Sequence, residues 1–230
     1  MLTSQINPLS VLREPGADIP SGITFALEAR RLTLVRGRLT ILRNVNLAVS
    51  KREMVALRGA NGAGKTTLLH CLAGALRPSE GEVLWFGESS GQSPASRRHI
   101  GFLGHDSSLY LALTARENLL FAGRMYGVDR VAERADRLLA AAGLAHHNGQ
   151  LAGRLSRGQR QRLAIARAVI HDPRILLLDE PFTNLDSNGC RWLREFLGHL
   201  RTNGCAMVIA SHEVESQVFD RSIVLDGGRP

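Results

Sequence analysis

The sequence predicts an α/β protein with a mostly parallel core sheet, an antiparallel β subdomain and an inserted helical subdomain. Three patterns carry that prediction. Two short apolar runs, Glu53 to Arg58 and Ile175 to Leu178, each lead into residues suited to ligand chemistry, as buried strands of open α/β sheets do. Residues 23–50 instead alternate in hydrophobicity (Val45-Asn46-Leu47-Ala48-Val49), the period of a half-buried antiparallel sheet. From Thr114 onward the apolar residues recur at helical spacing.

Taken in order, residues 1–22 hold Pro8, Pro15, Gly16 and Pro20 with little periodicity and read as a mobile tail. One domain is expected over 23–230. The alternating stretch comes first, then the strand from Glu53, a glycine-rich loop and a helix from Thr66 to Leu76. Gly81 to Gly87 adds another strand. Thr114-Ala115-Arg116-Glu117 is a capping box ahead of a helix carrying Leu119, Leu120, Phe121 and Met125. Val131 to Ala142 forms a second helix ended by Gly143. These helices make an inserted lobe of about 106–158, after which core strands and helices alternate to Leu225.

The glycine-rich loop is Gly59-Ala60-Asn61-Gly62-Ala63-Gly64-Lys65-Thr66, the phosphate-binding pattern G-x-x-x-x-G-K-[ST]. Lys65 is one of only two lysines, with Lys51, so its place in the pattern carries weight. Glycines let successive N–H groups converge on a phosphate, and the helix N-terminus beginning at Thr66 and Thr67 adds partial positive charge. Lys65 would reach the β- and γ-phosphates and the Thr66 hydroxyl would ligate Mg²⁺. The bland alternative is a glycine-rich turn before a core helix. The pattern predicts nucleoside triphosphate binding.

Asp179 closes the second apolar run, where it would hold Mg²⁺ directly or through water. Glu180, next to it, would orient and deprotonate an attacking water. The alternative, two surface acids in a turn before Pro181, fits poorly with so apolar a run.

Leu155-Ser156-Arg157-Gly158-Gln159 reads by itself as a capping box, with Ser156 as N-cap and Gln159 three residues on. In this position and order the segment resembles the signature motif of ABC-type ATPases. Thr183-Asn184-Leu185-Asp186 resembles that family's D-loop, and Ser211-His212-Glu213 its switch histidine. The resemblance runs from about residue 25 to the C-terminus. It implies a head-to-tail homodimer with ATP between the subunits. Gly59, Asn61, Gly62, Gly64, Lys65, Thr66, Thr67, Asp179, Glu180 and His212 would then serve a nucleotide from one side. Ser156, Gly158, Gln159 and Asp186 would approach from the other, with Glu180 and His212 catalytic and Thr66 and Asp179 at the metal.

Three positions depart from the family pattern. Arg157 stands where the signature commonly has a small residue. Leu34-Val35-Arg36-Gly37 lacks the aromatic that usually stacks on adenine, leaving Val35 to pack on the base and Arg36 to lie over it. His105 replaces the glutamine usual at the hinge between core and helical lobe. Imidazole can bond to water or accept a proton in its place, or His105 is simply a surface histidine.

Composition bounds the partners. A net charge of +8, carried almost wholly by arginine, fits a genome rich in arginine codons or apposition to an anionic membrane face. No dense basic run or aromatic-interleaved patch points to nucleic acid, and none is expected as partner. Cys71, Cys190 and Cys205 are odd in number and widely spaced, which predicts reduced thiols and a cytosolic setting. No apolar stretch approaches the ~18 residues of a membrane span, and the N-terminus lacks a signal-peptide core.

Within the family, Gly104-His105, Tyr110, Leu113 to Leu119, Arg124-Met125-Tyr126-Gly127-Val128 and Asp179-Glu180-Pro181-Phe182-Thr183 resemble the ATP-binding subunit of the cytochrome c maturation (haem exporter) system. That resemblance implies a peripheral subunit on the cytoplasmic face of the inner membrane, docked on an integral membrane partner. There, ATP hydrolysis would release a haem-loaded chaperone. His146-His147 lies in a polar loop and is not expected to ligate haem. A generic efflux or lipid exporter subunit is the alternative. A soluble ABC ATPase of translation or repair would carry a second ATPase domain or a coiled-coil insertion, which this chain lacks.

Overall fold

A computed structural model describes residues 24–90, 94–105, 108–211 and 219–227. Two sheets form its frame. Strands β1 (Phe25–Arg36), β2 (Leu39–Ser50), β4 (Glu80–Trp85) and β5 (Glu88–Ser89) pair antiparallel in the order β2-β1-β4-β5. Strands β3 (Met54–Gly59), β6 (Ile100–Leu103), β7 (Ile175–Asp179), β8 (Ala206–Ala210) and β9 (Arg221–Leu225) make a parallel sheet ordered β6-β7-β8-β3-β9. β7 and β8 are buried throughout, so their near-continuous apolar runs are covered on both faces.

The two-residue period of a strand divides the core. Leu176 and Leu178 join a cluster with Leu163, Ile165 and Phe196, whereas Ile175 and Leu177 join one with Leu69, Leu72 and Trp85. Helix α1 (Lys65–Leu72) lies on the second face with the antiparallel sheet. Helices α4 (Arg157–Ala168) and α5 (Ser187–Thr202) cover the first.

Helix α1 stops four residues short of the expected Leu76. The Trp85 indole donates to the Leu72 carbonyl at 2.9 Å, and Gly74 turns left-handed at φ 67°. A Cβ on Gly74 would lie 2.8 Å from the Trp85 ring, so the strand-borne indole and the helix end shape each other. The strand expected from Gly81 to Gly87 ends at Trp85, where Phe86 and Gly87 both take positive φ.

Helices α2 (Ala115–Met125) and α3 (Val131–Ala141) stand between β6 and α4. The Thr114 capping box is formed in both directions, at 3.1 and 2.8 Å. The Arg116 guanidinium grips Asp136 through two bonds of 2.6 and 3.0 Å, holding that carboxyl below the usual range. The lobe docks on the core through Arg134, whose Nε donates to the Ile170 carbonyl at 2.5 Å, and through Tyr126, stacked on His171 at 3.8 Å. From α5, Trp192 donates to the Ala141 carbonyl at 2.7 Å while Arg162 of α4 lies over its ring. Phe121 and Met125, read from the sequence as part of the helix's apolar set, are exposed. Leu119 and Ala122 face the core instead.

Candidate nucleotide site

Strand β3 delivers the phosphate loop to the carboxyl edge of the parallel sheet. Gly59 sits at φ 146°, and a Cβ there would come within 2.5 Å of the Leu225 carbonyl oxygen on neighbouring β9. Gly64, at φ 99°, packs beneath Ile41 and Leu42 of β2 and opens α1. Only residues without a side chain let the loop close against both sheets. Lys65 is buried, and its Nζ donates to the carbonyls of Gly59 at 2.8 Å and Ala60 at 3.1 Å. The ammonium is thus held inside the curl of the loop.

Across the sheet, Asp179 is 3% exposed and its Oδ2 accepts from Thr66 Oγ1 at 2.7 Å. The two residues expected at a metal therefore converge from opposite ends of the sequence. Glu180 follows in a left-handed conformation, φ 50°, and its backbone N–H donates to the Ala210 carbonyl at 2.8 Å. That turn swings its side chain out of the strand alternation, and Oε1 is shielded from solvent.

The signature segment forms the N-terminus of α4. Ser156 Oγ accepts from the Gln159 N–H at 3.2 Å, and Gln159 Oε1 accepts from the Ser156 N–H at 2.9 Å. Asp186 caps α5, its Oδ1 accepting from the Gly189 N–H at 2.7 Å. A cavity of about 380 Å³ is lined by Ser156, Gly158, Gln159, Arg162, Asn184 and Asp186, so signature and D-loop residues share one hollow. Gln161 ties α4 to the segment after Glu180 by donating to the Pro181 carbonyl at 3.0 Å.

Asn61 and Gly62 lie exposed on the loop, with Thr67 in the first turn of α1. His105 is exposed, two residues beyond β6. His212 falls outside the described residues, as does the whole 1–22 tail. Val35 is 43% exposed near the end of β1. Burial pushes the Cys71 thiol on α1 up to about 11, with the neighbouring charge of Arg36 working against it. The three cysteines are unbridged. Among the described residues no helix is long and apolar enough to cross a membrane.

Asn118, within the Leu113 to Leu119 stretch, has a structural role that the sequence pattern did not assign. It is fully buried, and its side chain accepts from the Tyr110 N–H and donates to the carbonyls of Tyr110 and Thr114, fixing the turn before α2. A polar residue inside an otherwise apolar helix face was the one available signal.

Residues 42–183 match the family model described as ABC transporter. The chain is 38% identical over 208 residues to the ABC transporter ATP-binding protein NatA of Bacillus subtilis, covering 88% of this chain and 85% of that one. It is 43% identical over 171 residues to the cytochrome c biogenesis ATP-binding export protein CcmA of Bordetella bronchiseptica, covering 74% and 76%. Among solved structures, an ATP-binding subunit of an ABC transporter superposes with a TM-score of 0.83 at 28% identity, covering 89% and 87%. The dimeric cassette MJ0796 bound to ADP and phosphate gives 0.81 at 29%, covering 88% and 95%. The chain belongs to the ABC transporter family and is an ATP-binding, ATP-hydrolysing subunit of that class.

Proposed function

We propose that the chain, as one domain over 23–230, hydrolyses Mg²⁺-ATP at an interface between two copies of itself and so drives an integral membrane partner. The observation that carries this is the 2.7 Å contact of Thr66 with Asp179 beside the buried Lys65. A hydroxyl and a carboxylate converging at the mouth of a phosphate loop are hard oxygen donors of the kind Mg²⁺ takes. No cluster of three His, Cys, Asp or Glu occurs among the described residues, which suits an ion held mainly by phosphates and water. Thr66 and Asp179 would hold the ion, which would neutralise charge on the phosphates.

In this reading Lys65 leaves the Gly59 and Ala60 carbonyls for the phosphates. The loop N–H groups from Asn61 to Thr67 cradle them, and Glu180 takes a proton from the attacking water with His212 beside the γ-phosphate. Ser156, Gly158, Gln159 and Asp186 of a second copy close the far side. The dimeric state of MJ0796 with ADP and phosphate supports that arrangement. His105 links the site to the helical lobe, about 106–158.

The finer proposal is a place on the cytoplasmic face of the inner membrane, in the haem-chaperone release step of cytochrome c maturation. The CcmA likeness and the hinge histidine support it. The broader coverage of NatA favours, as second reading, the ATP-binding subunit of another ABC transporter, such as a generic efflux or lipid system. Deleting the gene decides between them. Loss of covalent haem from c-type cytochromes, with accumulation of the loaded haem chaperone, is expected. Normal c-type cytochromes in a host without a second copy leave only the ABC ATPase.

A further inference from the structure

The loop ahead of the signature carries a side-chain chain of hydrogen bonds with a single direction. Gln150 Nε2 donates to the Arg154 carbonyl at 3.0 Å, so its Oε1 is turned toward His147 Nδ1, 2.9 Å away. A carbonyl oxygen only accepts, so the proton of a neutral His147 sits on Nδ1, and Nε2 is left as an acceptor. Gln159 Nε2 stands 3.0 Å from it and donates. That fixes the Gln159 amide with Oε1 toward the Ser156 N–H, the orientation that completes the capping box. Each bond in the series then pairs a donor with an acceptor, and the two amides and the ring are set in one mutually consistent orientation.

We propose that His147 is a positioning residue of the signature segment, holding the Gln159 amide so that Ser156 and Gly158 are presented to the nucleotide of a second copy. Its place in the fold suits that task. The same loop is stitched to the start of α2: Arg116 N–H donates to the Asn148 carbonyl at 3.0 Å, Ala115 to Gln150 at 2.9 Å, and Ala152 to Leu113 at 2.8 Å. His147, half-buried at the end of the turn Ala145–His147, therefore bridges the strapped loop and the helix that bears the signature. Without the His147 acceptor the Gln159 amide is held by the Ser156 N–H alone. The return bond of the capping box is then less firmly set, while Ser156 Oγ still accepts from the Gln159 N–H. The proposal rests on the dimer reading above.

The test uses the full chain with Glu180→Gln, expected to keep ATP unhydrolysed, and compares His147→Leu, His147→Gln and His147→Asn by light scattering over a concentration series in Mg²⁺-ATP. Gln places an amide oxygen near the Nε2 position, whereas Asn reaches Gln150 but not Gln159. Loss of one neutral hydrogen bond predicts dimerisation weakened roughly five- to tenfold in His147→Leu and His147→Asn, with His147→Gln within about twofold of the parent. Binding of a fluorescent ATP analogue to the dilute monomer should stay within about twofold in all, because the phosphate loop is untouched. Parent-like dimerisation by His147→Leu or His147→Asn overturns the proposal, as does His147→Gln dimerising no better than His147→Asn. A parent that never dimerises in ATP overturns the dimer reading itself and this proposal with it.

Discussion

Thr66 Oγ1 and Asp179 Oδ2 lie 2.7 Å apart although 113 positions separate them in the chain. The contact exists because β3 and β7 flank β8 in one parallel sheet and end at the same edge. A carboxylate this buried needs a donor or a cation, and the hydroxyl supplies the donor. On Mg²⁺ binding both oxygens would turn to the metal sphere. Thr66→Ala should therefore raise the Mg²⁺ needed for half-maximal hydrolysis by about 10-fold or more. Nucleotide binding in EDTA should change little. A Mg²⁺ titration that overlays wild type would remove Thr66 from the metal.

Glu180 leaves the strand at Asp179 through a left-handed backbone, φ 50°. With water activation as its task, Glu180→Gln should keep ATP binding and cut turnover by about 10²-fold or more. Single-turnover assays with labelled ATP measure this directly. Lys65→Ala should instead weaken binding itself.

These two features were legible because each motif is contiguous. A glycine-rich loop between strand and helix, and an apolar run ending in acids, declare themselves within ten residues. The capping boxes at Thr114 and Ser156 were legible for the same reason, and both are formed. What stayed hidden depends on distant partners. The early end of α1 comes from Trp85, thirteen residues beyond Leu72. Glu180 adopts a backbone that its residue type does not favour, imposed by the bond to Ala210 and the turn to Thr183. His147 meets Gln159 only after the loop folds back. The exposure of Phe121 and Met125 was unreadable because an apolar helix face looks the same whether it meets the core or another chain.

His171 gives a pH test of the junction between lobe and core. Burial is the main cause pushing its pKa down to about 4. The Ile100 carbonyl, 2.9 Å from Nε2, acts in the opposite direction, and the charges of Arg134 and His99 act with burial. The unfolded chain binds a proton near pH ~6.5, which the folded chain refuses until about pH 4. Stability should thus be full above the upper value and fall as pH drops through that window, by an amount of order 3 kcal/mol. His99, also held low by burial, adds in the same direction. Urea unfolding between pH 7 and 4.5 should show a shallower decline in His171→Gln than in wild type. Parallel declines would mean that other groups set the acid sensitivity.

The helical lobe leaves Tyr110, Leu111, Phe121 and Met125 exposed, at 47%, 56%, 40% and 73%. Tyr110 and Phe121 pack edge to face at 4.9 Å, and Arg167 lies over the Tyr110 ring, so the patch is ordered around a rigid aromatic pair. Asn118 holds the turn beneath it. An apolar patch of this kind beside the proposed hinge suits a helix of a membrane partner, recognised through a few anchors. Leu113, half-buried under the turn, is a poorer contact than Leu111. Leu111→Asp and Met125→Asp should each lower recovery of the chain in the membrane fraction by about tenfold, the effect of losing one anchor. ATP binding by the purified chain should be unchanged. Undiminished membrane recovery in the double variant would move the docking surface elsewhere on the molecule.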